Sequence, residues 1–93
     1  MTEILHKETS DRGVFYVKES DRTVAELTYS LNGDTMVIDH TEVNPQIEGK
    51  GIGTRLTETA VAFAREKNRK INPLCPFVEV LFDRNSQWSD LRV

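Results

Sequence analysis

Residues 43–56 read VNPQIEGKGIGTRL and place three glycines, Gly49, Gly51 and Gly53, at alternate positions. No other stretch constrains the chain so tightly. Before it, apolar residues recur every second position; after it, Ile52, Leu56, Ala60 and Phe63 recur at helical spacing. The glycines therefore stand where a strand gives way to a helix. A glycine at such a point supplies a positive φ or lets something approach the backbone closely. The start of a helix also carries unpaired N–H groups and about half a positive charge, which favours anions. Two readings stay open at this stage. The segment is either a turn that merely starts a helix, or a nest of N–H groups from residues 49–54 able to hold a pyrophosphate.

Upstream, the pattern predicts three strands: VFYVK at 14–18, TVAELTYS at 23–30 and TMVIDHTEV at 35–43. ESDR at 19–22 reads as a turn, and Asn32-Gly33 is a strong hairpin signal. If Leu31 pairs with Asp34, then Met36, Ile38 and His40 share a face with Ala25, Leu27 and Tyr29. That register also sets Glu26 against Asp39, an unfavourable like-charge pair, so a longer loop or a bulge is an alternative. Downstream, a helix is expected from about Gly51 to Asn68, with Val61 marking a second covered side. RKINPL at 69–74 reads as a short strand, PFVEVLFDR at 76–84 as a second helix, and Gln87–Val93 as a short terminal helix or turn carrying Trp88 and Leu91. The order is that of a single α/β domain over residues 1–93, with a mostly antiparallel sheet, a later crossover and flanking helices.

Several function classes are disfavoured by composition. A formal charge of −3 does not suit a nucleic-acid binder. The N-terminal stretch MTEILHKETSDRG has no apolar core, and no apolar run spans a bilayer, so neither a leader nor a membrane segment is expected and the cytoplasm is the default location. One cysteine excludes an intrachain disulfide, and two histidines with one cysteine show no metal-ligand spacing, so no metal is expected. Neither G-x-x-x-x-G-K-[ST] nor G-x-G-x-x-G occurs, since the glycine spacing is G-K-G-I-G.

The glycine segment resembles the acetyl-CoA motif of the GNAT superfamily of N-acetyltransferases, roughly V-x-P-x-x-[RQ]-G-x-G-[IV]-[GA]-x-x-L. Val43, Pro45, Gly49, Gly51, Ile52, Gly53 and Leu56 match it. The chain is similar in particular to a small branch of about 90 to 110 residues. That branch is marked by an H-T-x-V stretch, here His40 to Val43, and a P-L-C-P-[FY]-V stretch, here Pro73 to Val78. The likeness covers residues from about 14 to 91. It implies a minimal GNAT-like fold, acetyl-CoA as cosubstrate and an amine acceptor, either a small molecule or a protein. It implies cofactor contacts from Thr41, Glu42 and Val43 on the strand and from Glu48, Gly49, Lys50, Gly51, Ile52, Gly53 and Thr54 in the loop. Glu48 departs from the pattern, which prefers Arg or Gln, and a carboxylate there opposes a pyrophosphate unless it turns outward. The acceptor-binding segment of larger relatives has no counterpart, so the acceptor site is expected to be shallow or shared, in a monomer or weak homodimer. A non-catalytic module that binds CoA or acyl-CoA is the alternative.

Two residues are candidates for the chemistry. Cys75 precedes Pro76, and proline favours the first helical position, so Cys75 is expected as the N-cap, where the field of the helix favours thiolate. It would accept the acetyl group or protonate the leaving CoA thiolate; the plain alternative is an inert buried thiol. His40 lies near the implied thioester and would act as a base or hydrogen-bonding partner, against the plain reading of a core histidine. His6 falls in an expected tail and is given no role.

Overall fold

The computed structural model describes residues 3–93. Five strands form one sheet whose spatial order is the chain order: β1 (Leu5–Glu8), β2 (Arg12–Glu19), β3 (Arg22–Asn32), β4 (Thr35–Val43) and β5 (Lys70–Pro73). The first four are antiparallel and β5 lies parallel to β4. The crossover between β4 and β5 is the helix α1 (Ile52–Glu66), and α2 (Pro76–Arg84) follows β5. Single 3₁₀ turns occupy Pro45–Ile47 and Ser86–Trp88.

The turns follow from local chemistry. Ser20 and Asp21 both take positive φ between Glu19 and Arg22, the twist a two-residue hairpin requires. In the next hairpin Gly33 supplies φ +61°, and Asn32 pairs with Thr35. The hairpin signal was correctly placed, but the two-residue turn is Gly33-Asp34, one position further along than the Leu31–Asp34 pairing implies. Just past the end of helix α1, Asn68 takes the left-handed region, a conformation asparagine tolerates.

One irregularity decides the site. Tyr29 pairs with Ile38 and Thr28 with His40, so Asp39 is an extra residue, a β-bulge. The bulge reverses the alternation of β4. Met36 and Ile38 point into the core before it; Thr41 and Val43 take that side after it, opposite the buried Leu27 and Ala25. His40 and Glu42 turn to the other face and are exposed. The expectation that His40 shares a face with Met36 and Ile38 is thereby corrected, and Glu26 meets Glu42 rather than Asp39.

The inner face of the sheet buries Phe15, Val17, Ala25, Leu27, Tyr29, Met36 and Ile38 against Leu56, Ala60 and Ala64 of α1. Thr57 and Val61 are buried as well, the second covered side expected from the sequence. Val78 and Phe82 of α2 join Trp88 and Leu91 in the same core.

The segment read as a tail is the strand β1. His6 stacks on Phe15 at 4.1 Å and meets Phe63 of α1 edge-on at 4.5 Å. Its Nε2 lies 2.7 Å from the Tyr29 hydroxyl, which donates to Glu8 at 2.6 Å. Arg69 completes the cluster with a 2.7 Å hydrogen bond to Glu8. Burial holds the His6 imidazole below its ordinary pKa, and the Arg69 guanidinium holds the Glu8 carboxyl below its own.

Candidate functional site

A groove of about 430 Å³ opens between the end of β4, the glycine loop and the start of α2. Thr41 and Val43 form its strand wall, Glu48, Gly49, Gly51, Ile52, Gly53 and Thr54 its loop wall, and Ile47 and Phe77 complete the lining. The structure thus brings eight of the expected contact residues to one cleft. Glu42 is directed away by the bulge, and Lys50 does not reach the lining.

The loop wall is polar through its backbone. Gly51 is the N-cap of α1 at φ +74°, and no side chain caps the helix. The first helical bond runs from Arg55 N–H to Gly51 O at 3.0 Å. No described backbone carbonyl accepts from Ile52, Gly53 or Thr54, whose N–H groups are the orphan donors of a helix start. Gly49 also takes a left-handed conformation, at φ +84°. Gly53 has a different reason to be glycine: a Cβ there would lie 2.8 Å from the Phe77 ring, so helix α1 and the start of α2 approach through it.

The strand wall is open along its edge. The pairing of β4 with β5 ends at Ile38 and Pro73. Beyond it, the N–H groups of Leu74 and Cys75 both donate to Ile38 O, each at 3.0 Å, and the two chains part. This shared acceptor pins Cys75 beside the bulge. Cys75 is the N-cap of α2, as its sequence implies, but it is buried and makes no side-chain cap bond. Its Sγ lies 3.5 Å from Thr41 Oγ1, behind the groove wall. His40 lies on the opposite side of β4 from Thr41, next to Glu42 at 3.4 Å and outside the groove. Of the two residues proposed for chemistry, only Cys75 is therefore coupled to the groove.

Ile47 and Phe77 were missed. Phe77 carried a signal: it is an apolar residue at the exposed start of a helix, next to the Cys-Pro pair. Ile47 carried none, because its place depends on the 3₁₀ turn, which Asn44 caps by accepting from Gln46 N–H at 2.9 Å.

A meandering sheet, a glycine-started crossover helix and a cleft where two parallel strands part together make a small α/β architecture with one groove at the strand ends. The sequence profile described as GCN5-related N-acetyl-transferase matches residues 14–91, and the chain belongs to that family. No protein of curated function matches it in sequence. It is similar to the solution structure of a GCN5-like protein from Staphylococcus aureus, with 30% identity, 98% of this chain and 87% of that one covered, and a TM-score of 0.74. Its fold also resembles a ribosomal-protein-alanine N-acetyltransferase from Brucella melitensis, at 17% identity, 82% and 62% coverage and a TM-score of 0.63. A third likeness is the PaiA N-acetyltransferase from Thermoplasma acidophilum, solved with coenzyme A, at 11% identity, 81% and 50% coverage and a TM-score of 0.62. The chain thus spans only half to two thirds of these larger enzymes. Among the described residues no helix is long and apolar enough to cross a membrane.

Proposed function

We propose that the groove binds acetyl-CoA and that the protein transfers the acetyl group to an amine. The observation that carries this reading is the convergence, in one cleft, of the uncapped N–H groups of Ile52, Gly53 and Thr54 with the open edge of β4. The pyrophosphate would sit at the start of α1, held by backbone donors and the helix field. The pantetheine arm would run along Thr41 to Val43, where β4 has no neighbouring strand to satisfy its edge. Family membership and the coenzyme A complex of the Thermoplasma acidophilum protein support the choice of cosubstrate.

The thioester end would then lie near Thr41. The Thr41 hydroxyl accepts from the Cys75 thiol and faces the groove, so it can donate in turn to a sulfur or carbonyl oxygen that gains charge as the acetyl group leaves. Cys75 acts through it, as the far end of a two-residue proton path to the departing CoA thiolate. Among the described residues Glu48 is the one ionisable side chain in the lining, so the amine must arrive neutral or lose its proton to Glu48 or to water. This same scarcity of titratable groups favours a second reading, a module that binds CoA or acyl-CoA without turning it over.

Titration of CoA into isotope-labelled protein tests the cleft. The amides of residues 41–43 and 49–54 should shift and saturate. Mass spectrometry of mixtures with acetyl-CoA and a panel of amines then separates the two readings. Acetylated amine supports the transferase, and binding without product supports the module. Saturating shifts elsewhere in the protein would remove both.

A further inference from the structure

We propose that Glu26, His40 and Glu42 form a surface site for a divalent transition-metal ion of the zinc type, on the face of the sheet away from the groove. The site is separate from the CoA reading and does not rest on it. Nothing in the residue numbering gives it away, because positions 26, 40 and 42 match no ligand spacing. The β-bulge makes it. By inserting Asp39, the bulge turns His40 and Glu42 onto the face that carries Glu26, which lies directly opposite Glu42 in the ladder. One donor atom from each of the three then lies within 4.8 Å of the others.

The geometry is near that of a ligand set. His40 Nε2 and Glu42 Oε1 are 3.4 Å apart. Adjacent ligands of a tetrahedral ion with bonds of about 2.0–2.1 Å are separated by about 3.3 Å, so this pair already has the right spacing. Glu26 must move in by about an ångström or so, within the rotamer freedom of a long side chain on an open face. The charge pattern asks for a cation as well. Two carboxylates directly opposed across a ladder repel each other. Among the described residues no lysine or arginine comes within ion-pair distance of either glutamate. A divalent ion between them turns that repulsion into attraction.

The donor set selects the ion. Carboxylates alone suit calcium or magnesium, whereas an imidazole nitrogen shifts preference toward zinc, cobalt and nickel. Three protein ligands leave one position for water, and the exposure of His40 and Glu42 gives the ion a direct path in.

Zinc chloride alone is the probe, titrated by calorimetry into the Cys75→Ala protein so that the thiol cannot compete. One equivalent should bind with micromolar affinity, undisturbed by excess magnesium. Long-range proton–nitrogen spectra should show the His40 ring shifting and the His6 ring unmoved. His40→Ala should abolish the binding, and Glu26→Gln should weaken it by at least an order of magnitude. No saturable binding, a shift at His6 instead of His40, or an unchanged affinity in Glu26→Gln would each overturn the site. Should a variant fail to fold by circular dichroism, the ring shifts of the Cys75→Ala protein, with both glutamates and His40 in place, decide the matter without it.

Discussion

Gly51 offers the sharpest test of how the groove works, because backbone strain and ligand access can be separated there. It sits at φ +74°, ψ 16°, and a Cβ built on it meets no atom within 4 Å. Substitution by alanine therefore carries no packing clash. Its cost is the left-handed backbone alone, about 1–2 kcal/mol for an L residue. For a domain of this size each kcal/mol lowers the melting temperature by about 4–8 °C, so Gly51→Ala should melt roughly 4–16 °C below the parent. Asparagine visits the same region readily, so Gly51→Asn should keep most of that stability. Ligand binding should follow a different order. Gly51 lines the groove and a Cβ there meets no protein atom, so a side chain at this position is expected to compete with the ligand for space, the larger asparagine more. Both variants should lose CoA affinity by more than tenfold, at least ~1.4 kcal/mol. Melting followed by Trp88 fluorescence gives the first quantity, and calorimetric titration of CoA gives the second. If Gly51→Asn bound CoA as tightly as the parent, the ligand would not rest on this turn. A melting temperature of Gly51→Ala within a degree of the parent would refute the strain argument.

Other consequences can be checked alongside. Replacing Glu48, which lines the groove, by arginine should tighten CoA several-fold in dilute buffer, a gain that disappears near 1 M salt, where the screening length is about 3 Å. Cys75→Ala should leave CoA affinity within about twofold and lower acetyl transfer, since the thiol lies behind Thr41 rather than in the lining. Gly13→Ala places a Cβ 2.3 Å from the buried Tyr29 ring and should cost about 2–3 kcal/mol in urea unfolding, a cost that shrinks in a Tyr29→Leu background. Acid should destabilise the fold in two steps. His6 and Glu8 have folded pKa values below their ordinary 6.5 and 4.5, so the unfolded chain takes up protons first. Stability is complete above those values and falls as pH drops below about 6.5, then further below about 4.5, with Glu8→Gln shrinking the second step in melting curves, to which Asp90, held below its ordinary pKa by Arg65, also contributes.

Much of this architecture is written in short-range chemistry. The change from period two to period 3.6 across the glycine segment located α1, and the Cys-Pro pair located the start of α2. Asn32-Gly33 located a hairpin, because a positive φ is a local demand that few residues meet. What escaped was non-local. β1 looks like a polar tail because Leu5–Glu8 has one half-buried apolar residue; its order comes from His6 on Phe15 and from Arg69, 61 positions away from Glu8. The bulge left only an indirect trace, the awkward charge pair in the unbulged register. The ladder resolves that register by setting two glutamates opposite each other, so local charge was a poor guide to pairing there. Cys75 could be read as a cap from its neighbours, whereas the placement of His40 depended on one extra residue that alternation cannot reveal.

The coincidence of strand order with chain order bears on how the molecule assembles in time. Three consecutive connections, β1 to β2, β2 to β3 and β3 to β4, are tight, so each pairing closes a small loop at little entropic expense. Such local contacts form early in rapidly folding domains. The bond from Arg69 to Glu8 closes nearly two thirds of the chain, and it can form only after α1 has docked. Contacts absent from the transition state govern unfolding rather than folding. The bond from Arg69 to Glu8 thus has little to do with how fast the chain reaches its structure. It sets how long each molecule, once folded, stays that way.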